Sequence, residues 1–130
     1  MQIKFFYGTL RKGHYNYERF GGNKVFKPHS IHNNEYIVTG FKMYDNGSYP
    51  CVVYTGDKND KITGEVYHID DGLANRLYDM EIGAGYHQRT ITIDDVDRKF
   101  DALMYVMYKE QVDNSRWEYI KNGKYANKNN

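Results

Sequence analysis

The chain has 130 residues and one cysteine, Cys51, so no internal disulfide can brace it. Cys51 lies in the apolar run Pro50-Cys51-Val52-Val53-Tyr54, and buried cysteine behaves as a small hydrophobe. No base stands near it in sequence, which argues against a thiol nucleophile. No apolar run approaches the ~20 residues that a membrane-spanning helix needs. The first residues lack the charged region, apolar region and cleavage site of a signal peptide. A soluble, cytoplasmic protein is therefore expected. The formal net charge is only +1, with both signs interspersed, so there is no basic stripe for nucleic acid or an anionic membrane. Gly-x-Gly-x-x-Gly and Walker-type phosphate loops are missing, as is a Gly-x-Ser-x-Gly elbow. Of the five histidines, His29 and His32 are three apart, but in a stretch with no clear helix. His68 and His87 lie in candidate strands, without acidic or cysteine partners at a ligand spacing. No metal site is expected.

What the chain does have is aromatic surface. Hydrophobic residues make up 40%, and tyrosine alone numbers 14. Side chains with an apolar body and a polar tip suit a β-rich fold with a wet cleft better than a helical bundle. The length fits one domain over residues 1–125, followed by a polar tail at 126–130. The pattern predicts a strand over 3–7 and one or two helical turns over 14–20, with Tyr15 or Tyr17 and Phe20 inward. Residues 24–34 read as a loop. Segments 35–44, 50–55 and 61–69 read as an antiparallel meander, with Gly40 as a bulge and an Asn46-Gly47 turn. A helix starts at Asp70 as N-cap and stops near Ile82-Gly83, with Gly83 as its left-handed end residue. Strands follow over 86–96 and 100–108, then a short helix around Trp117–Ile120. No βαβ alternation appears, which excludes a doubly wound parallel sheet. The expected class is α+β, a curled sheet or small barrel of about six strands with helices outside.

Two places can carry chemistry. The apolar run Ile3-Lys4-Phe5-Phe6 ends abruptly in Tyr7-Gly8-Thr9-Leu10. Glycine permits φ > 0 and close approach, and successive amides in such a turn form an anion-binding nest. The alternative is a plain turn with no ligand. Glu81 falls four residues after Leu77 and eight after Leu73, on the apolar face of the predicted helix and in its last turn. Burial and the negative end of the helix dipole both disfavour its charged form, which would tune it for proton transfer near pH 7. The alternative is that Glu81 turns to solvent or pairs with Arg76 or Arg89.

Three motifs in order resemble the γ-glutamylcyclotransferase-like (AIG2-like) proteins, which include γ-glutamylamine cyclotransferases. They are Phe6-Tyr7-Gly8-Thr9-Leu10-Arg11-Lys12-Gly13, then Gly47-Ser48-Tyr49-Pro50, then Leu77-Tyr78-Asp79-Met80-Glu81 with Tyr86 and Arg89 following. Together they span residues 3–108. Residues 21–34 match nothing in the family pattern, and Ile82 follows Glu81 where that pattern has glycine. The resemblance implies a small mixed, largely antiparallel β-barrel with flanking helices. It implies that Tyr7, Gly8, Thr9 and Leu10, together with Tyr86, bind the glutamyl group, and that Glu81 is the acid/base. The implied reaction closes a γ-glutamyl compound to 5-oxoproline and releases a free amine, with no metal or organic cofactor. The implied partner is a small γ-glutamyl substrate, with no nucleic acid and no membrane. A non-catalytic protein that binds a small metabolite on the same fold is the alternative, and a tyrosine-rich interaction module is a third.

Overall fold

The opening apolar run forms β1 (Gln2–Phe6), which lies inside a sheet with a partner on each edge. The computed structural model describes residues 1–96 and 98–126, so most of the expected tail lies outside the described residues. After β1 come α1 (Tyr15–Arg19), a 3-10 turn at Gly22–Lys24 and the two-residue β2 (Lys27–Pro28). Next are β3 (Glu35–Thr39), β4 (Phe41–Asp45), β5 (Pro50–Tyr54), β6 (Lys61–Ile69) and α2 (Asp71–Gly83). The chain continues with β7 (His87–Asp94), β8 (Lys99–Val106), a 3-10 turn at Lys109–Gln111 and β9 (Glu118–Ile120). Among the described residues, no helix is long and apolar enough to cross a membrane.

Six strands form one sheet in the order β2-β6-β1-β8-β7, with β3 also paired to β6. Among the strand pairs of the described residues, only β1 and β8 run parallel. A second sheet has the order β5-β4-β9. The two sheets touch where Val53 bridges Met107 and the Met107 amide donates to the Val52 carbonyl at 2.9 Å. The architecture is α+β and mostly antiparallel, as expected, with more and shorter strands than the six anticipated.

Alternation along β1 builds two cores. Phe5 points into a cluster shared by both sheets, with Val66 and Met104 from the larger and Phe41, Met43 and Val52 from the smaller. Phe6 points the other way, to Tyr67, Ile69, Phe26 and Tyr17 of α1, and to Leu73, Ala74 and Leu77 of α2. Asp70 caps α2 as expected, its carboxylate accepting from the Leu73 amide at 2.7 Å.

Four expectations are corrected. Segment 35–44 is not one bulged strand. The chain turns at Gly40, so β3 pairs with β6 while β4 leaves for the second sheet and pairs with β5. The meander therefore does not form, because β5 pairs with β4 and not with β6. The short helix around Trp117–Ile120 is instead β9, since Tyr119 and Ile120 find a free edge opposite Tyr44 and Met43. Residues 24–34, read as a loop, contribute β2 to the edge of β6.

The close approach of β6 to β1 generates a stability prediction. A methyl on Gly64 would lie 2.5 Å from the Phe6 carbonyl oxygen and 2.6 Å from the Phe5 ring. Backbone cannot yield as a flexible side chain would. Gly64→Ala should cost about 1–3 kcal/mol by overpacking, read as a lower urea midpoint at unchanged slope.

Candidate active site

A cavity of about 650 Å³ opens at the end of β1. Its walls come from the Tyr7–Leu10 loop, the Gly47–Pro50 turn, Met80, Glu81 and Ala84 at the end of α2, and Tyr86. Phe5 and Phe6 of β1, with His14, Tyr15, Asn16 and Tyr125, complete it. All six residues singled out from the sequence, Tyr7, Gly8, Thr9, Leu10, Glu81 and Tyr86, line this one cavity.

The loop is held from behind. The Gly8 carbonyl accepts from the Arg11 amide at 3.1 Å, and the Thr9 carbonyl accepts from the Tyr17 amide at 3.0 Å. Those carbonyls are occupied, whereas the amides of Gly8, Thr9 and Leu10 donate to no other group among the described residues. Unengaged amides in a turn are chemically able to hold an anion. Of the two properties read from the sequence for Gly8, the structure uses close approach. Its φ is not positive, but a Cβ there would fall 2.7 Å from Cγ of Pro50. The Tyr-Gly-Thr loop and the Gly-Ser-Tyr-Pro turn are thus in direct contact. The Tyr7 hydroxyl donates to the Tyr105 carbonyl at 2.7 Å, so its ring is fixed within the wall.

Glu81 arrives from α2. Leu73, Ala74 and Leu77 bury one face of the helix, and Glu81 continues that face by one turn. The helix continues through Gly83, and the left-handed residue is Gly85 (φ 99°), not Gly83 as expected. The Tyr86 amide then donates to the Glu81 carbonyl at 3.0 Å and the Gly85 amide to the Ile82 carbonyl at 3.1 Å, the two bonds of a Schellman motif. This cap ties Tyr86 to Glu81 through the backbone. The Tyr86 hydroxyl donates to the Pro50 carbonyl at 2.5 Å, which carries the link across the cavity to the turn beside Gly8.

Burial pushes the Glu81 carboxyl up to about 7, against an opposing pull from the positive charge of Lys4. Neither Arg76 nor Arg89 neutralises it. Arg89 instead lies over the Tyr54 ring at 3.9 Å. Tyr7, Tyr86 and Tyr105 are all pushed upward, chiefly by burial, with the Glu81 charge adding to the shift. The carboxyl therefore faces uncharged phenols and one ammonium.

That ammonium belongs to a residue the sequence reading passed over. Lys4 is 1% exposed, and its Nζ donates to Gln88 Oε1 at 2.7 Å and to the Tyr105 hydroxyl at 3.3 Å. Burial brings it down to about 8. A lone charge between Ile3 and Phe5-Phe6 was its signal. The Cys51 thiol is fully buried and pushed up to about 12, chiefly by burial, so it stays a thiol. His29 and His68 bond to each other at 2.9 Å and line no part of the cavity.

The fold and the sequence both have known relatives. The family model described as "Gamma-glutamyl cyclotransferase, AIG2-like" matches residues 4–127. A Methanocaldococcus jannaschii protein, whose name gives gamma-glutamylcyclotransferase as a proposed activity, is 32% identical over 107 residues, covering 81% of this chain and 83% of that protein. A Bacillus subtilis protein named in the same way is 31% identical over 109 residues, 83% of this chain. The aligned part is only 36% of the length of that relative. Among solved structures, an uncharacterised protein from Pyrococcus horikoshii superposes with a TM-score of 0.67 at 26% identity, covering 95% of this chain and 89% of that one. An AIG2-like protein from Mus musculus shares the fold, with a TM-score of 0.73 at 19% identity, covering 97% of this chain and 88% of that one. With the match running from within β1 past the last described strand, the chain belongs to the AIG2-like gamma-glutamyl cyclotransferase family.

Proposed function

We propose that the protein is a γ-glutamyl cyclotransferase with Glu81 as its acid/base. One observation carries the reading: a carboxyl raised by burial to about 7 shares a cavity with a row of unengaged amides. The reaction is intramolecular. The Glu81 carboxylate takes a proton from the substrate α-ammonium, and the freed amine attacks the γ-carbonyl carbon. The amides of Gly8, Thr9 and Leu10 stabilise the negative charge of the substrate carboxylate or of the oxyanion that forms. Protonated Glu81 then returns the proton to the departing nitrogen as the C–N bond breaks, and its carboxylate takes the second proton from the ring nitrogen, which leaves a neutral lactam, and passes it to the released amine. 5-Oxoproline and a free amine result, and no water is consumed. A carboxyl near neutrality can act in both directions. Tyr86 shapes the wall beside Glu81 and holds the Pro50 turn against Gly8.

Mass spectrometry of 5-oxoproline release over a panel of γ-glutamyl amides, amino acids and peptides tests the activity. Glu81→Gln should lower kcat/KM by ~10²- to 10⁴-fold; turnover equal to wild type would remove Glu81 from the mechanism. Gly8→Val drives a side chain into Pro50 and should weaken substrate affinity and turnover together. If that variant keeps its affinity, the loop is not the cradle. The pH profile is a third measurement. Glu81 must be ionised to accept the first proton, so kcat/KM should fall on the acid side with a midpoint near 7. Lys4 favours the ionised form, so Lys4→Met should move that midpoint upward in a folded variant. A midpoint that stays in place counts against this electrostatic coupling.

A further inference from the structure

The proposed reaction assigns a role to the amides of the Tyr7–Leu10 loop and none to the residue that closes it. Arg11 follows Leu10 directly and is 5% exposed, yet it does not line the cavity. A buried guanidinium is costly unless its charge is paired. Among the described residues, no carboxylate lies within ion-pair distance of Arg11. The carboxylate whose field it feels most, Glu65, already accepts from the Lys12 amide at 2.8 Å and the Tyr67 hydroxyl at 2.6 Å.

The polar groups of Arg11 hold position instead. Its amide donates to the Gly8 carbonyl at 3.1 Å, and its carbonyl accepts from the His14 amide at 3.0 Å. Nη2 donates to His14 Nε2 at 3.0 Å and to the Tyr125 carbonyl. Arginine has only donors, so that contact makes Nε2 of His14 an acceptor. His14 and Tyr125 both line the cavity, and Arg11 grips them from behind.

Tyr125 comes from the other end of the chain, and the segment that carries it is anchored to the larger sheet. The Thr63 amide of β6 donates to the Gly123 carbonyl at 2.8 Å. The Lys124 ammonium meets Glu35 of β3 at 3.0 Å. Gly123 has a φ of 68°, and a Cβ there would run into the Lys61 carbonyl oxygen, so glycine is what lets this segment lie against β6.

We infer that Arg11 is a positioning residue that ties the amide loop to residues 123–125 and makes this C-terminal segment part of the active site. Without the guanidinium, the end of the loop is held by its own backbone alone. The effect on turnover rests on the cyclotransferase reading, in which the loop amides hold the substrate.

A double-mutant cycle tests the link. Arg11→Met removes the donors at similar length, and Gly123→Ala unseats the C-terminal segment with Arg11 intact. The variants are compared well below their melting temperatures, by 5-oxoproline release from the γ-glutamyl amide that wild type turns over fastest. Each should lower kcat/KM about ten- to a hundredfold, the scale on which a displaced positioning group acts. The double variant should lose no more than the worse single one, since both break one link. Arg11→Lys keeps a donor and should recover part of the loss; it replaces Arg11→Met in the cycle if that variant does not fold. Wild-type kinetics in a folded single variant, or losses that multiply in the double variant, overturn the inference.

Amide hydrogen exchange supplies a readout that needs no turnover. The Tyr17 amide, bonded to the Thr9 carbonyl at 3.0 Å, reports on the loop, and the Met107 amide, bonded to the Val52 carbonyl at 2.9 Å, reports on the junction of the sheets. Both single variants should speed exchange several-fold at Tyr17 and leave Met107 unchanged. Equal acceleration at the two amides, or none at Tyr17, overturns the inference. Acceleration at Tyr17 alone, in a protein that turns over no γ-glutamyl compound, supports the link and overturns the cyclotransferase reading.

Discussion

The site depends on β1 having a partner on each edge. Its antiparallel register with β6 runs from Gln2 opposite Ile69 to Phe6 opposite Glu65, while its other edge meets β8. A strand so clamped cannot slip without moving every side chain to the wrong face. Phe5 is committed to the inner core, and Lys4 and Phe6 to the outer face. Tyr7 and the turn behind it are then delivered to a fixed point at the sheet end. Tight packing of Gly64 over the Phe6 carbonyl adds to the constraint.

A second set of constraints joins three segments distant in sequence. Gly8 packs against Pro50, the Pro50 carbonyl accepts from Tyr86, and the Tyr86 amide caps the helix end at Glu81. The links are steric contact, side-chain hydrogen bond and backbone cap. Each sets the distance between two walls of the cavity. The electrostatics follow from this closure. Removing Glu81 from water raises its pKa, and the phenols around it, themselves uncharged, do little to offset the shift. Lys4 provides the opposing charge and is restrained by Gln88 and Tyr105 on the neighbouring β7–β8 pair.

Some misreadings have a common physical origin. Residues 35–44 have continuous strand character, and local propensity says nothing about which sheet a strand joins. The turn at Gly40 sends the two halves to different partners. Residues 118–120 became a strand because β4 offered an edge, a fact absent from their own composition. The helix ends at Gly83, as its sequence indicates, but the left-handed residue lies two positions further on, because Gly83 and Gly85 both fit that position and the Schellman bonds select the second.

By itself the sequence determined the element types with strong local signals. These are the apolar β1, the Asp70-capped helix, the long β6 and the carboxylate that continues the buried helix face. Hydrophobic period, capping chemistry and turn residues act over a few positions, so they are written locally. It also carried the three motifs that place the chain in its family. Tertiary structure decided the strand partners, the contact between Gly8 and Pro50, and the burial of Lys4 beside the field of Glu81. It also decided that the Arg11 guanidinium would meet the Tyr125 carbonyl. These depend on groups brought together from opposite ends of the chain. Desolvation and steric contact are properties of that assembled surrounding, and no single stretch of residues contains them.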